Sequence, residues 1–309
     1  MDLHQKVIEY IESSTDFDEA LALEVIQFQM ENIPLYAEFL RALGRPKIQK
    51  IDDLPFFPVD FFKKYGIIVG DSEGYFESSG TTGNRSRVLY HRRSLELYRA
   101  SALRSFPFEV KEIYSLVPSF NVAEHSSLSY MLRIFEEKCR VIYLQESYEI
   151  DDMKGIADKI LGVKAGSLIF LTSTQLLRLS EYMAECHIKS EERIVIVETG
   201  GYKALNRPYI RTELYAAARA GFPEAEFFSE YGMTELFSQF YSTCGGLYRY
   251  TPYSKVFTEG EGFLRVFDFA NLYTISGLLV PDRIKMKGEC FDVLGRSVDE
   301  ERGCAFTFG

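Results

Sequence analysis

The chain has 309 residues, of which 46% are hydrophobic and 26% are charged, and its formal net charge is -10. This composition is typical of a globular protein and excludes a disordered or fibrous chain. The negative charge argues against a general nucleic-acid-binding or acidic-membrane surface, because such surfaces need a basic face. Any site for an anion must therefore be local.

The first 50 residues predict a helical cap. Residues 17–43 carry apolar residues at helical spacing, with a break at Pro34 and a stop at Gly44. The first 14 residues include three acidic side chains and no long apolar run, unlike a secretory signal. No later apolar stretch is long enough to cross a bilayer, so we expect a cytoplasmic protein without a transmembrane segment.

From about residue 94, short apolar, β-branched or aromatic runs alternate with helical patterns. The predicted strands are residues 113–117, 140–144, 167–172 and 193–198, and the predicted helices are residues 126–137, 151–161, 174–185 and 207–220. Strand and helix in alternation predict an α/β fold, with a mostly parallel sheet flanked by helices.

After Gly245 and Gly246 the helical patterns stop. Residues 247–250, 262–267 and 273–280 are predicted strands separated by turns, which indicates a smaller antiparallel β region. We therefore expect a core of residues 1–284, made of the cap (1–50), an α/β part (51–244) and the β region (245–284). Residues 285–309 form a tail that is too short to be a domain.

The five cysteines are widely spaced and contain no CxxC pair: Cys139, Cys186, Cys244, Cys290 and Cys304. This spacing indicates neither a disulfide framework nor a zinc site. It predicts reduced thiols, as is usual in the cytoplasm.

The segment Ser78-Ser79-Gly80-Thr81-Thr82-Gly83, here called the Ser78 loop, is followed by Arg85 and Arg87. A glycine-rich turn can aim backbone N–H groups at one anion, and hydroxyls and arginines add donors and positive charge. The loop is not a Walker A motif, because neither glycine is followed by Lys-Ser or Lys-Thr. Taken alone, such a segment is more often a polar surface turn.

Two further segments follow predicted strands, which is where ligands bind in α/β sheets. At the first, Gly200 and Gly201 offer a backbone that a ligand can approach closely. The second, residues 229–235, is a predicted loop after a strand at residues 226–228. Its Tyr231 suits a base, its Thr234 a phosphate and its Glu235 a magnesium ion, which prefers one or two carboxylates plus phosphate oxygens. The alternative is that Tyr231 belongs to the core and the carboxylates are solvated.

The Ser78 loop and Tyr231-Gly232-Met233-Thr234-Glu235 resemble the phosphate-loop and Tyr-Gly-x-Thr-Glu motifs of the adenylate-forming superfamily. This superfamily contains acyl-CoA ligases, luciferases and peptide-synthetase adenylation domains. The resemblance implies the large N-terminal domain of these enzymes, an α/β fold, with ATP and Mg2+ as cofactors. It also implies that the Ser78 loop holds the pyrophosphate part of ATP, that Gly200, Gly201 and Tyr231 flank adenine, and that Thr234 and Glu235 hold phosphate and magnesium. Thr81, Thr82 and Glu235 are then the expected catalytic residues.

Asp282 resembles the superfamily's ribose-binding aspartate, and Arg296 resembles its hinge residue. The Thr-Gly pair expected before the aspartate is Val280-Pro281 here. Most members continue into a mobile C-terminal lid domain with a catalytic lysine, which we expect to be absent or truncated. The lysine's role would then fall to Arg85, Arg87 or Lys203, or the short tail would cover the site.

Within the superfamily, the sequence resembles the acyl-protein synthetases of bacterial bioluminescence operons (LuxE-type) from about residue 54 to residue 304. The matching stretches are residues 53–63, the Ser78 loop with Ser86 and Arg87, and residues 117–119 leading to 126–128. This resemblance implies that a fatty acid is activated as its acyl adenylate, carried on a cysteine near the C-terminus and passed to a reductase partner. Cys304 lies at the expected position, and Cys290 is the alternative. A lone cysteine is also often an inert core residue.

The sequence therefore predicts AMP-forming activation of a fatty or other carboxylic acid, with transfer to a protein cysteine. An acyl- or aryl-CoA ligase and a noncatalytic nucleotide- or acyl-binding subunit are the alternatives. Expected partners are the acid and an acyl reductase or other acceptor protein, with no nucleic acid. Aromatic residues such as Phe120, Tyr130 and Phe237 suit either an acyl pocket or the core.

Overall fold

The computed structural model describes residues 2–44, 46–79, 85–200 and 211–296. Three helices open the chain: α1 (Leu3–Ser13), α2 (Glu19–Asn32) and α3 (Pro34–Ala42). Asp18 caps α2 by accepting a hydrogen bond from the Leu21 N–H at 2.9 Å. Pro34 begins α3, at a position where its missing N–H leaves no bond unmade. The predicted break is confirmed, whereas α1 was not predicted.

The middle of the chain alternates strands and helices as predicted. It contains β1 (Phe57–Pro58), β2 (Gly74–Glu77), β3 (Arg87–Tyr90), α4 (Arg92–Ser105), β4 (Glu112–Ser115), α5 (Ser127–Phe135), β5 (Arg140–Tyr143), α6 (Met153–Leu161), β6 (Leu168–Thr172), α7 (Ser173–Glu185), β7 (Val195–Thr199) and α8 (Arg211–Ala218). Helix α4 was not predicted. Its start is capped by the His91 side chain, which accepts from the Ser94 N–H, and histidine is an uncommon cap.

Seven strands follow α8 in the part of the chain that the structure describes. They are β8 (Glu226–Met233), β9 (Leu236–Cys244), β10 (Leu247–Arg249), β11 (Ser254–Val256), β12 (Glu261–Asp268), β13 (Gly277–Lys287) and β14 (Cys290–Arg296). The described strands form one large sheet in the order β11-β12-β13-β14-β10-β9-β8-β7-β6-β4-β5, with β1 beside β13. Strands β2 and β3 form a separate antiparallel pair.

The large sheet changes direction at β8. Strands β5, β4, β6, β7 and β8 are parallel to one another. From β9 to β11 along the sheet, neighbours are antiparallel. The antiparallel part thus begins before Gly245, earlier than expected, and it continues the main sheet.

Residues 229–235 are not a loop, contrary to the prediction. Strand β8 runs through Met233, and Thr234 and Glu235 form the turn into β9. The predicted strand ended too early because Ser229 and Glu230 still pair with β7, and the strand continues to Met233 through its pairing with β9, a partner that local sequence patterns do not reveal. Residue 284, the expected end of the core, lies inside β13. Strands β13 and β14 pair with each other, so most of residues 285–296 belong to the same sheet.

The core lies on both faces of the parallel strands. Phe170 and Val197 belong to the same apolar cluster as the buried residues of α1 to α5, while Ile169 and Ile196 belong to a second cluster with those of α6 to α8. Neighbouring residues therefore point to opposite faces, as the pleat of a strand requires. Within the described ranges, no helix is long and apolar enough to span a membrane.

Candidate functional site

The carboxyl ends of β6, β7 and β8 lie side by side at one edge of the sheet. Ser173 starts α7 directly after β6, and Glu198 and Thr199 end β7. Gly200 follows with a φ of +86°, a left-handed conformation that favours glycine, and no atom of the described residues lies within 4 Å of the place where a Cβ would be. Among the described residues, nothing therefore blocks the approach of a ligand to the Gly200 backbone on this side.

Glu198 is a buried carboxyl on the α7 face of the sheet. The Ser173 hydroxyl lies in hydrogen-bonding contact with it and is 2.7 Å from the Gly200 carbonyl oxygen. The Tyr215 hydroxyl donates to Glu198 Oε1 at 3.3 Å. Burial raises the pKa of Glu198, although hydrogen bonds from Ser173 and Ser229 oppose the rise.

Glu230 is a second buried carboxyl, on β8. Its Cα pairs with that of Thr199, whose hydroxyl donates to the Glu230 carboxylate. Burial, with a smaller contribution from the charge of Glu198, raises the pKa of Glu230 to about 7. A Cβ on Gly232 would lie 2.5 Å from Glu230 Oε1, so glycine at this position leaves room for the carboxyl group. The glycine of the Tyr-Gly-x-Thr-Glu motif thus has a local steric reason.

Tyr231 is anchored from the antiparallel part of the sheet. Its hydroxyl donates to Asp282 Oδ2 at 2.7 Å, although the two residues are 51 positions apart in sequence. The ring also lies near Tyr248 and Phe291, with centroid distances of 5.6 and 6.1 Å. The structure therefore brings together two residues that were selected from separate motifs.

Thr234 and Glu235 form the β8–β9 turn and are each 8% exposed. Asn271 Nδ2 donates to the Glu235 carbonyl oxygen at 2.7 Å, which fixes the turn against the segment after β12. Among the described residues, no group of three or more His, Cys, Asp or Glu could hold a metal. Glu235 supplies one carboxylate and Thr234 one hydroxyl, a donor set that fits Mg2+ when phosphate oxygens are its other ligands.

The Ser78 loop joins β2 to β3, and Gly80, Thr81, Thr82 and Gly83 lie outside the described residues. At its base, the Ser78 N–H donates to the Ser86 carbonyl at 3.0 Å and the Ser86 N–H donates to Ser78 Oγ at 2.9 Å. Ser78 Oγ thus accepts a bond that closes the loop, and Ser79 is exposed.

Arg85 and Arg87 both pair with Glu77. Arg85 donates to Glu77 Oε2 at 2.8 Å, and Arg87 Nε donates to Glu77 Oε1 at 3.0 Å. These bonds hold the pKa of Glu77 below its usual value. The two arginines that the sequence assigns to phosphate therefore both bind a carboxylate of the protein itself, that of Glu77.

Five other predicted positions differ in whether the structure describes them. Gly201 and Cys304 lie outside the described residues, as does Lys203. The backbone of Arg296 ends β14, where its Cα pairs with that of Asp282. Met233 ends β8 and pairs with Leu236 across the turn.

Cys244 and Cys290 form a disulfide bond, contrary to the expectation of reduced thiols. The two cysteines are 46 positions apart, and the pairing of β10 with both β9 and β14 brings them together. Spacing along the chain could not reveal this, because the pairing depends on the sheet. Cys290 is therefore not a free thiol, whereas Cys139 and Cys186 are free.

Sequence reasoning missed several residues at this edge. Ser173 follows a predicted strand, so the rule that ligands bind at strand ends could have found it. Arg211 donates to the Gly246 carbonyl oxygen at 2.6 Å, and its guanidinium lies over the Tyr248 ring at 4.6 Å. No local signal indicates this contact, because it joins α8 to the β9–β10 turn.

No protein-family model and no curated protein matches the sequence. Among solved structures, 2-hydroxyisobutyryl-CoA ligase in complex with 2-HIB-AMP is similar with a TM-score of 0.62 and 11% identity, over 96% of this chain and 68% of that chain. O-succinylbenzoate coenzyme A synthetase from Bacillus subtilis, in complex with AMP, has a TM-score of 0.52 and 18% identity, over 75% and 51% of the two chains. The luciferase-like enzyme from the mealworm Zophobas morio has a TM-score of 0.51 and 16% identity, over 79% and 62%.

The chain has the fold of the N-terminal domain of adenylate-forming enzymes. The fold class predicted from the sequence is confirmed. The chain spans less than two thirds of the length of the luciferase-like enzyme and about half that of the Bacillus subtilis synthetase. At these identities, the similarity establishes the fold and leaves the activity to be argued from the site.

The raised pKa of Glu230 can be tested through the pH dependence of the free energy of unfolding. The unfolded chain releases the proton near the usual pKa of 4.5, whereas the folded chain keeps it until about pH 7. As the pH rises between these values, the free energy of unfolding falls by up to about 1.4 kcal/mol per pH unit. Replacing Glu230 with Gln removes this loss and keeps an acceptor for Thr199. We expect the stability of Glu230→Gln relative to the parent to rise by about 2 kcal/mol between about pH 5 and pH 8, measured by urea unfolding.

Glu226→Gln is the matched control, because Glu226 is exposed at the start of the same strand. It should follow the parent at every pH. A relative stability of Glu230→Gln that does not change with pH would contradict the raised pKa.

Proposed function

We propose that this protein activates a carboxylic acid with ATP, forming an acyl adenylate and releasing pyrophosphate. The observation that carries the proposal is the 2.7 Å hydrogen bond from Tyr231 to Asp282. The family resemblance gives these residues to the adenine and the ribose of one nucleotide. An aromatic ring beside a carboxylate suits a nucleoside, since the ring packs on the base and the carboxylate accepts from ribose hydroxyls.

In the proposed reaction, a carboxylate oxygen of the acid attacks the α-phosphorus of ATP. A new P–O bond forms while the bond from the α-phosphorus to the bridging oxygen breaks, and pyrophosphate leaves with that electron pair. The nucleophile is already ionised, so no general base is needed. The protein's contribution is then positioning and electrostatic stabilisation.

The residues divide this work by their chemistry. The open backbone at Gly200 suits close approach of the nucleotide, and the donors of the Ser78 loop, Thr81 and Thr82 among them, suit the phosphates. Glu235 would hold Mg2+ beside Thr234 at the β8–β9 turn. The ion, when bound, would act as a Lewis acid on the phosphate oxygens.

We further propose that the acid is a fatty acid and that the acyl group passes to a cysteine of the protein. The Cys304 thiolate would attack the acyl carbon, forming a thioester as AMP leaves. Support comes from the resemblance to LuxE-type synthetases and from Cys290, the other candidate, which is bonded to Cys244. An acyl reductase or another acceptor protein would then receive the acyl group.

Two other functions stay open. A CoA ligase is favoured by the similarity to two solved CoA-ligating enzymes. A noncatalytic nucleotide- or acyl-binding subunit is the other alternative that the sequence offers.

Glu235→Gln tests the magnesium assignment. The amide cannot supply a charged ligand, so we expect acid-dependent exchange of label between pyrophosphate and ATP to fall about tenfold or more. The assay would use a panel of fatty and aryl acids in the presence of Mg2+. Glu224→Gln, at an exposed glutamate before β8, should keep the parent rate. Unchanged exchange in Glu235→Gln would mean that Glu235 does not hold the metal.

Cys304→Ser tests the thioester. Incubation of the parent with ATP and a radiolabelled fatty acid, without coenzyme A, should leave hydroxylamine-labile label on the chain in a ratio of about one per protein, because a thioester is cleaved by this nucleophile. Cys304→Ser should lose the label, and Cys186→Ser, at an exposed free cysteine, should keep it.

Label that persists in Cys304→Ser would contradict this acyl carrier. Release of AMP only when coenzyme A is present would favour the ligase. Binding of ATP without AMP formation from any acid would favour the noncatalytic subunit.

A further inference from the structure

Glu77 lies at the mouth of the β2–β3 hairpin, where it binds two arginines at once. Each carboxylate oxygen accepts from a different guanidinium, Oε2 from Arg85 at 2.8 Å and Oε1 from Arg87 at 3.0 Å. The Glu77 side chain is 19% exposed, whereas those of Arg85 and Arg87 are 54% and 61% exposed. The carboxylate is thus partly enclosed, while both guanidinium groups face solvent.

The position of Glu77 is fixed by the elements around it. Its backbone N–H donates to the His125 carbonyl at 2.8 Å, which ties β2 to the loop after β4. The His125 ring stacks on Tyr75 at 4.2 Å, and the Arg87 guanidinium lies over the same Tyr75 ring at 5.0 Å. The backbone of Glu77 therefore has a defined place, and Arg87 has a ring contact in addition to its bond to Glu77.

Most of the hydrogen-bonding capacity of the two arginines is not used by Glu77. A guanidinium has five N–H donors, and each of these arginines gives Glu77 one bond within the distances above. Guanidinium groups also match phosphate oxygens in geometry and charge. The cluster of two arginines and one carboxylate keeps a net positive charge of about one unit, next to the Ser78 loop.

We propose that Glu77 is a positioning residue that competes with the phosphate chain of the nucleotide for Arg85 and Arg87. This inference rests on the proposed function and deepens it. In the resting protein Glu77 holds the arginines; a polyphosphate with several negative charges draws them away; and Glu77 takes them back when pyrophosphate leaves. The competition favours release of pyrophosphate after the acyl adenylate has formed.

The negative charge of a ligand decides whether it displaces Glu77 from Arg85 and Arg87. The ion pairs are partly exposed, and such pairs contribute little, so a multiply charged ligand can displace one carboxylate. A monophosphate brings fewer charges and displaces it less easily. Glu77 therefore also favours ATP and pyrophosphate over AMP at this cluster.

Glu77→Gln tests the competition directly. The amide keeps the shape and an acceptor oxygen but removes the charge that opposes phosphate. We expect the dissociation constant for inorganic pyrophosphate, measured by titration calorimetry with Mg2+, to fall about five- to tenfold, the size expected for one partly exposed charge. In turnover assays, inhibition by pyrophosphate should strengthen by a similar factor, while the KM for the acid stays unchanged.

Glu73→Gln is the matched control, because it removes one negative charge from an exposed position four residues earlier. Its pyrophosphate affinity should stay within about twofold of the parent, since distant exposed charges are screened by salt. The double variant Arg85→Gln/Arg87→Gln should bind pyrophosphate more weakly than the parent. Circular dichroism and the melting temperature would establish that each variant is folded.

Unchanged or weaker pyrophosphate binding by folded Glu77→Gln would overturn the inference, because Glu77 would then only shape the hairpin. Equal binding by the parent and the double arginine variant would also overturn it. Tighter binding by Glu77→Gln, with no AMP formed from any acid, would support the competition and contradict the proposed activation of an acid. The two proposals can therefore fail separately.

Discussion

Strand β8 pairs in parallel with β7 on one side and antiparallel with β9 on the other, and the candidate site depends on this change of direction. The parallel strands bring their carboxyl ends to one edge, where Gly200 and Glu230 lie. The antiparallel strands return past the same edge and carry Asp282 on β13 to Tyr231 on β8. Residues 51 positions apart in the sequence thus share one hydrogen bond.

Buried charge sets the electrostatics of this edge. Glu198 and Glu230 lie on neighbouring strands, and burial raises the pKa of both carboxyls. Hydroxyl groups of Ser173 and Thr199 partner them, so neither is buried without a hydrogen bond. The arginines of the β2–β3 hairpin are instead partly exposed and paired with Glu77, where a charged ligand can compete for them. The polar groups at the strand ends are thus buried and bonded to one another, whereas the arginines at the hairpin reach solvent.

Local patterns predicted the alternating strands and helices, the break at Pro34 and the motif that contains Tyr231, because each depends on neighbouring residues. The prediction of a loop at residues 229–235 was wrong, since the hydrogen bonds that extend β8 come from partner strands. The Cys244–Cys290 bond and the sharing of Glu77 by Arg85 and Arg87 could not be predicted for the same reason. Phe237, suited by sequence to an acyl pocket or the core, is buried against the Tyr98 ring at 5.0 Å.

Transfer of an oxygen atom from the acid to AMP tests most directly the central claim that the protein forms an acyl adenylate. The protein would be incubated with ATP and carboxylic acids labelled with oxygen-18 in the carboxyl group, with hydroxylamine to trap the activated acyl group. Attack of the carboxylate on the α-phosphorus puts one acid oxygen between the acyl carbon and phosphorus, and that oxygen stays on phosphorus when the acyl carbon is attacked. Mass spectrometry should therefore find AMP with one oxygen-18 atom. AMP without oxygen-18, or label in pyrophosphate or inorganic phosphate instead, would contradict the account.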